Sequence, residues 1–201
     1  MFVAVLNGIL MGLILSTLCG PIFFMLINLG VTSSLKSVFY LAFGVFLSDV
    51  IAIFLLLNAA LGSISHIKNL EILFYVGGSV LIYFGFRNLT KSPVIIEQAE
   101  VSQKNLYKLF IKGFMINSLN PTILFFWFGA MMLAFNTYHN DRGLVITHFI
   151  SGLSVGLFTD CMKGYSAFHL KKYVKPSFLN VLNKISGIII IGFGLKLIFF
   201  H

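Results

Sequence analysis

Long apolar runs separated by short polar stretches set the pattern of this chain from end to end. No ionisable side chain lies between Met1 and Lys36, and about 20 apolar residues in a helix are enough to cross a hydrocarbon core of about 30 Å. The pattern predicts a first transmembrane helix near Phe2–Leu29. A second runs from about Ser37 to Ser65, interrupted only by Asp49. A third, Leu70 to about Asn88, is bracketed by Glu71 and Arg87. The polar stretch Thr90–Lys108, with Pro93, Glu97, Glu100 and Lys104, reads as an amphipathic or irregular loop. Three more helices are expected at Phe110–Phe135, Gly143 to near Leu170, and Phe178–Phe200. The last carries Lys184 and Lys196 toward its ends, where long side chains can snorkel to water. The expectation is an all-α membrane protein with six transmembrane helices in one domain, residues 1–201.

Composition agrees with this reading and narrows it. Apolar residues make up 58% of the 201, and charged residues only 10%, against about a quarter in soluble domains. Most of the surface therefore cannot face water, which excludes an ordinary soluble enzyme. The net charge of +8 does not point to nucleic acid, because the cations fall in short stretches between apolar runs instead of forming a stripe. The first run does not read as a cleaved signal peptide: it has no basic n-region and is too long for an h-region. Cys19 and Cys161 sit inside apolar runs, so no disulfide framework is implied.

Each of the three spans in the first half has a counterpart in the second. Tyr75–Arg87 aligns without a gap on Lys184–Lys196, matching Gly78 to Gly187, Phe84 to Phe193, Gly85 to Gly194 and Arg87 to Lys196. Phe46-Leu-Ser-Asp49 lies over Leu157-Phe-Thr-Asp160, and Cys19-Gly-Pro21 over Leu119-Asn-Pro121. Each match is weak in so apolar a chain, but all three fall in the same order. The predicted architecture is two inverted three-helix repeats, about 1–89 and about 109–201, joined by the loop at about 90–108. Inverted repeats are the usual plan of secondary transporters, with substrate held near the midplane by broken helices. Pro21 and Pro121 sit where such breaks are expected. Each lacks an N–H, and its ring obstructs the carbonyl four residues back, at Thr17 and Asn117. Gly20 adds flexibility before one proline, and Asn120 a carboxamide before the other.

Charges inside the spans are the candidate chemistry. A carboxylate at the bilayer centre costs about 2.5–3.5 kcal/mol on insertion scales, so it must face the bundle interior or be protonated. Asp49 lies mid-span with no cation near it in sequence. Asp160, on the matching helix, has Lys163 three residues on, close enough to pair on one helix face. Two readings stay open for these acids. They are structural, as an intrahelical ion pair and a helix–helix hydrogen bond, or they flank a cavity and bind a substrate ammonium, a coupling proton, or both. His148 lies about 18 Å along the helix from Asp160, near the outer interface. His66, His139 and His201 fall in loops or at the end. No spacing resembles a closed zinc site, and no enzyme motif stands out. Trp127, with Phe125, Phe126 and Phe128, reads as packing.

The chain resembles the lysine-exporter superfamily, the LysE-type translocators that include amino-acid and homoserine/threonine efflux proteins. The likeness covers nearly the whole chain. It rests on Gly20-Pro21, Ala42-Phe-Gly44 with Asp49, Tyr83-Phe-Gly-Phe-Arg87, Ser118-Leu-Asn-Pro121 with Phe125-Phe126, and the closing Ser186–Lys196 segment. The resemblance implies export of an amino acid or similar small zwitterion across the inner or plasma membrane. It also implies drive by the proton gradient without ATP or another bound cofactor, and it leaves a homodimer open. Asp49, Asp160, Asn117, Asn120 and Lys163 are the candidate substrate or proton residues, with no metal. Two positions depart from the family's habit: Ser48 stands where glycine is frequent, and Thr122 where lysine often follows Asn-Pro. Rival readings are a metal or other cation exporter of the same superfamily, and a transmembrane thiol–disulfide relay using Cys19, whose repeat counterpart is Leu119.

Loop cations orient the chain. Lys36, Arg87, Lys91, Lys104, Lys108, Lys112, Lys171, Lys172, Lys175 and Lys184 fall on one side, with Lys68, Arg142 and Lys196 on the other. Ten against three puts the long loop inside and both termini outside. A cysteine introduced at position 104 is expected to resist an impermeant maleimide in intact cells, while one at position 142 reacts. Labelling at 104 from outside would overturn this orientation.

Overall fold

A hydrocarbon environment offers no water to backbone N–H and C=O groups, so apolar runs satisfy them internally as helices. A computed structural model of the chain describes residues 1–18, 20–63, 70–90, 105–169 and 176–199. These form eight helices: α1 (Phe2–Ser16), α2 (Pro21–Thr32), α3 (Leu35–Ser63), α4 (Leu70–Thr90), α5 (Leu106–Ser118), α6 (Pro121–Thr137), α7 (Arg142–His169) and α8 (Pro176–Phe199). No strand occurs among the described residues. Most of the predicted Thr90–Lys108 loop lies outside the described residues; α4 runs to Thr90 and α5 already starts at Leu106, capped by the Asn105 side chain.

Two stretches are long and apolar enough to cross a bilayer unaided, Leu35–Asn58 within α3 and the whole of α7. Two further candidates are broken. α1 and α2 meet at 75°, and α5 and α6 at 64°. The expected first and fourth helices are thus helix pairs. The prolines do not obstruct a continuing helix, as their position in the sequence suggested; each is the first residue of a new one, where its missing N–H costs nothing and its fixed φ suits the helix.

The distribution of side chains is that of a protein in lipid. Phe2, Phe39, Phe43, Phe54, Tyr83, Phe86, Phe158 and Ile188 are exposed, while Ser37, Ser48, Asp49, Asn117, His148, Asn183 and Ser186 are buried. Lipid tails are as apolar as leucine, so helix association depends on close packing of small residues and on interhelical hydrogen bonds. Glycines make that packing here. α1 runs parallel to α7, with Gly8 set against the His148 carbonyl and Gly12 against that of Gly152. α5 lies on α3, where Gly44 meets the Phe110 carbonyl and Gly113 that of Leu41. α4 and α8 run antiparallel with two glycine pairs in contact. A Cβ on Gly78 or Gly85 would lie 2.7 Å from the carbonyl oxygen of Gly194 or Gly187, and a Cβ on Gly187 would lie 2.6 Å from that of Gly85.

Substituting these glycines should force the helices apart, at a cost of about 1–3 kcal/mol for overpacking. Gly78→Leu and Gly187→Leu are each expected to lower the melting temperature in detergent by several degrees. Gly192→Ala, on the same helix α8 but with nothing within 4 Å of its Cβ position, should leave it unchanged. Equal melting of all three variants would show that the glycine contact is not what joins α4 to α8.

Candidate functional site

The helix breaks need polar groups to cover the backbone they free, and the sequence supplies them locally. At the end of α1 the Ser16 and Thr17 hydroxyls donate to the carbonyls of Leu13 and Ile14, each at 2.7 Å. At the start of α6 the Asn120 side-chain oxygen accepts from the Thr122 N–H at 3.1 Å, which satisfies one of the unpaired donors of a first turn. α2 starts after Gly20 with no side-chain cap. The two breaks face each other: a Cβ on Gly20 would sit 3.5 Å from the Asn120 amide nitrogen.

Between them lies a cavity of about 360 Å³. Gly20, Pro21, Asn117, Asn120 and Pro121 line it from the breaks, and Asp49, Asp160 and Lys163 from α3 and α7. The eight positions singled out in the sequence thus share one cavity, although they come from opposite halves of the chain. Arg87 and Asn88, at the end of α4, line it as well.

Asp49 is 6% exposed. Its Oδ1 accepts two hydrogen bonds of 2.7 Å, one from the Asn117 amide and one from the Trp127 indole N–H. The Asn117 amide also donates to the Ser48 hydroxyl at 3.2 Å, and that hydroxyl lies 2.8 Å from the hydroxyl of Ser118. Both donors to Asp49 go to Oδ1, and the residue lines the cavity. Asp160 pairs with Lys163 at 2.6 Å, and the Lys163 ammonium also sits 5.8 Å from the centre of the Phe23 ring. The intrahelical pairing expected from their spacing is therefore present.

The sequence reading missed Trp127 as a partner of Asp49. It packs as expected, with no exposed surface, but its one polar atom is spent on the acid. The signal available was the single tryptophan of the chain, since a buried indole N–H needs an acceptor and Asp49 was an acid without an assigned partner. His148 is buried in the bundle, with Nδ1 3.2 Å from the Tyr138 hydroxyl and Nε2 3.1 Å from the Met11 sulfur. The Asn7 amide donates to the same Tyr138 hydroxyl at 3.1 Å. This cluster borders a second cavity, of about 380 Å³, with Lys196 at its edge.

Aromatic residues lie between the two cavities on α6 and α7, whereas on α1 the cavities border consecutive residues, Ile14 and Leu15. On α6, Ile123 lines the first and Ala130 the second, with Phe126 and Trp127 between them. On α7, Phe149 falls between His148 and Leu153 in the same way. Phe126 also packs on Phe193 of α8, ring centres 4.8 Å apart. Among the described residues no three His, Cys, Asp or Glu side chains come together. His139 lies exposed in the turn before α7. Cys161 is a free, half-buried thiol on α7; Cys19, His66 and His201 lie outside the described residues.

A polar cavity at facing breaks in apolar helices is the arrangement of a membrane protein that passes a small solute. The comparisons give the family. The model of the LysE type translocator family matches residues 13–200, and the chain belongs to that family. It is similar to the uncharacterized membrane protein YrhP of Bacillus subtilis (strain 168), 30% identical over 61% of this chain and 63% of the relative's length. No solved structure matches it.

The hub at Asp49 has a measurable signature. Asp49→Asn keeps an oxygen where Asn117 and Trp127 donate, whereas Asp49→Ala strands both donors at about 1–3 kcal/mol each. In detergent the alanine variant is expected to melt several degrees below wild type and the asparagine variant close to it. Wild-type melting of Asp49→Ala would show that the hub does not hold the site together.

Proposed function

We propose that the protein is a secondary exporter of amino acids or similar small zwitterions, driven by the proton gradient, in the inner or plasma membrane. The observation that carries this reading is the cavity itself, which places a buried acid and an ion pair beside two helix breaks. Its volume is at the small end of the range for small-molecule sites, about 300–1,000 Å³. Asp49 is the group for the substrate ammonium or the coupling proton, since it lines the cavity and its partners Asn117 and Trp127 are neutral. Asp160 and Lys163 supply a second, mutually neutralised pair from α7, and the carboxamides of Asn117 and Asn120 add donors and acceptors to the lining.

The architecture we infer is six spans in two inverted repeats. α1 with α2 makes the first span and α5 with α6 the fourth; α3, α4, α7 and α8 make the others. Three features support it. Both breaks place a proline at the first position of the second half-helix. α1 runs parallel to α7 and α4 antiparallel to α8, as alternating spans one, five, three and six require. Exchanging the aligned positions, Gly78 for Gly187 and Gly85 for Gly194, turns the contact of Gly78 with Gly194 into that of Gly187 with Gly85. Alternating access would then rock one repeat against the other about the shared cavity.

Cells expressing the protein and preloaded with each of the twenty labelled L-amino acids should release at least one faster than vector controls, and a proton uncoupler should abolish the difference. Asp49→Asn is expected to stop this release while protein yield stays normal. Release of no amino acid, with release of a divalent cation included in the panel, would favour the cation-exporter reading. Normal export by Asp49→Asn across a range of external pH would sink the role given to the acid.

A further inference from the structure

The cavity described above is lined by four charged side chains: Asp49, Asp160, Lys163 and Arg87. Their pairings differ. Lys163 is held by Asp160 at 2.6 Å, so that pair is neutral as a unit. Asp49 is bonded by the neutral groups of Asn117 and Trp127 and keeps whatever charge it carries. Arg87 makes no ion pair among the described residues. Its guanidinium carbon sits 5.7 Å from the centre of the Phe84 ring, within cation–π range, and the residue is exposed. One cavity thus has two ionisable groups that make no salt bridge among the described residues, an acid at its buried wall and a cation at its exposed side.

We propose that Arg87 is the residue that recognises the substrate's carboxylate, and so makes the site selective for amino acids over the amines that lack that group. The proposal rests on the zwitterion reading of the cavity and deepens it. A guanidinium presents parallel N–H donors in a fixed fork that matches a carboxylate's two oxygens, and such charge-assisted pairs are about twice as strong as neutral ones. Asp49 alone would bind an amine as well as an amino acid. With Arg87 in the same cavity, the ammonium and the carboxylate each have a complementary group. The start of α2 also lines the cavity and carries the partial positive charge of a helix N-terminus, but it cannot offer the two-point geometry of the fork. A lysine at position 87 would keep the charge and lose the geometry, which separates a recognition role from a purely electrostatic one.

The test uses the purified full-length protein in detergent and the fluorescence of Trp127, the only tryptophan of the chain, whose N–H is bonded to Asp49. The probes are L-lysine against cadaverine, L-threonine against 1-aminopropan-2-ol, L-leucine against isopentylamine, and any other amino acid exported in cells against its decarboxylated amine. Wild type is expected to bind its amino acid at least tenfold more tightly than the matching amine. Arg87→Gln should lose that preference by weakening the amino acid at least tenfold while leaving the amine within about twofold; Arg87→Lys should fall between. Melting temperatures close to wild type for these variants separate recognition from folding. If the glutamine variant does not fold, the lysine variant carries the test, and a full tenfold preference in it overturns the proposal. Amino acid bound equally well by Arg87→Gln overturns the role of Arg87 alone. A wild-type protein that exports and binds no amino acid at all removes the zwitterion reading, and this inference with it.

Discussion

One carboxylate oxygen organises the site. Asp49 Oδ1 takes hydrogen bonds from α5 through Asn117 and from α6 through Trp127, the two helices on either side of the second break. α3 thereby holds both halves of a bent span at a fixed angle. Without that acceptor, the Trp127 indole N–H and one N–H of the Asn117 amide would lose their partner, at about 1–3 kcal/mol each. The Ser48 and Ser118 hydroxyls extend the same network along the α3–α5 contact. An acid that is expensive to bury thus ties its own helix to two others by the bonds that make its burial tolerable.

The remainder of the fold keeps backbones close so that this network can form. Glycines let α1 approach α7, α5 approach α3, and α4 approach α8 to the point where carbonyl oxygens touch the opposing Cα positions. In lipid this closeness replaces the hydrophobic driving force that a soluble core would have. It also explains why large aromatic side chains such as Phe54, Tyr83 and Phe158 point outward: they belong to the lipid face, and the small residues belong to the interior.

Much of this was legible in the sequence. The apolar runs gave the helices, because a bilayer allows an apolar segment few alternatives. The spacing of Asp160 and Lys163 gave their pairing, because three residues on a helix bring side chains to one face. The prolines marked the breaks, although the sequence alone suggested obstructed carbonyls where the chain instead begins new helices. What could not be read were the partners that depend on two helices meeting. Trp127 is 78 residues from Asp49, and nothing in its local pattern of phenylalanines distinguishes a tryptophan that packs from one that also donates. Tyr138 and Met11 flank His148, and those partners too come together only in the assembled bundle.

The aromatic layer of Phe126, Trp127 and Phe149 has an electrical consequence. From Ile123 to Ala130 the helix α6 rises about 10 Å, and the cavities begin on either side of that segment. Water filling a cavity brings the potential of the adjoining solution with it, so the membrane voltage falls across what stays dry. Spread over at most about 10 Å and not the full core of about 30 Å, the same voltage makes a field at least about three times as strong. An elementary charge moved across that layer exchanges about 2.3 kcal/mol with every 100 mV of membrane potential, and Asp49, bonded to Trp127 within the layer, stands at its edge.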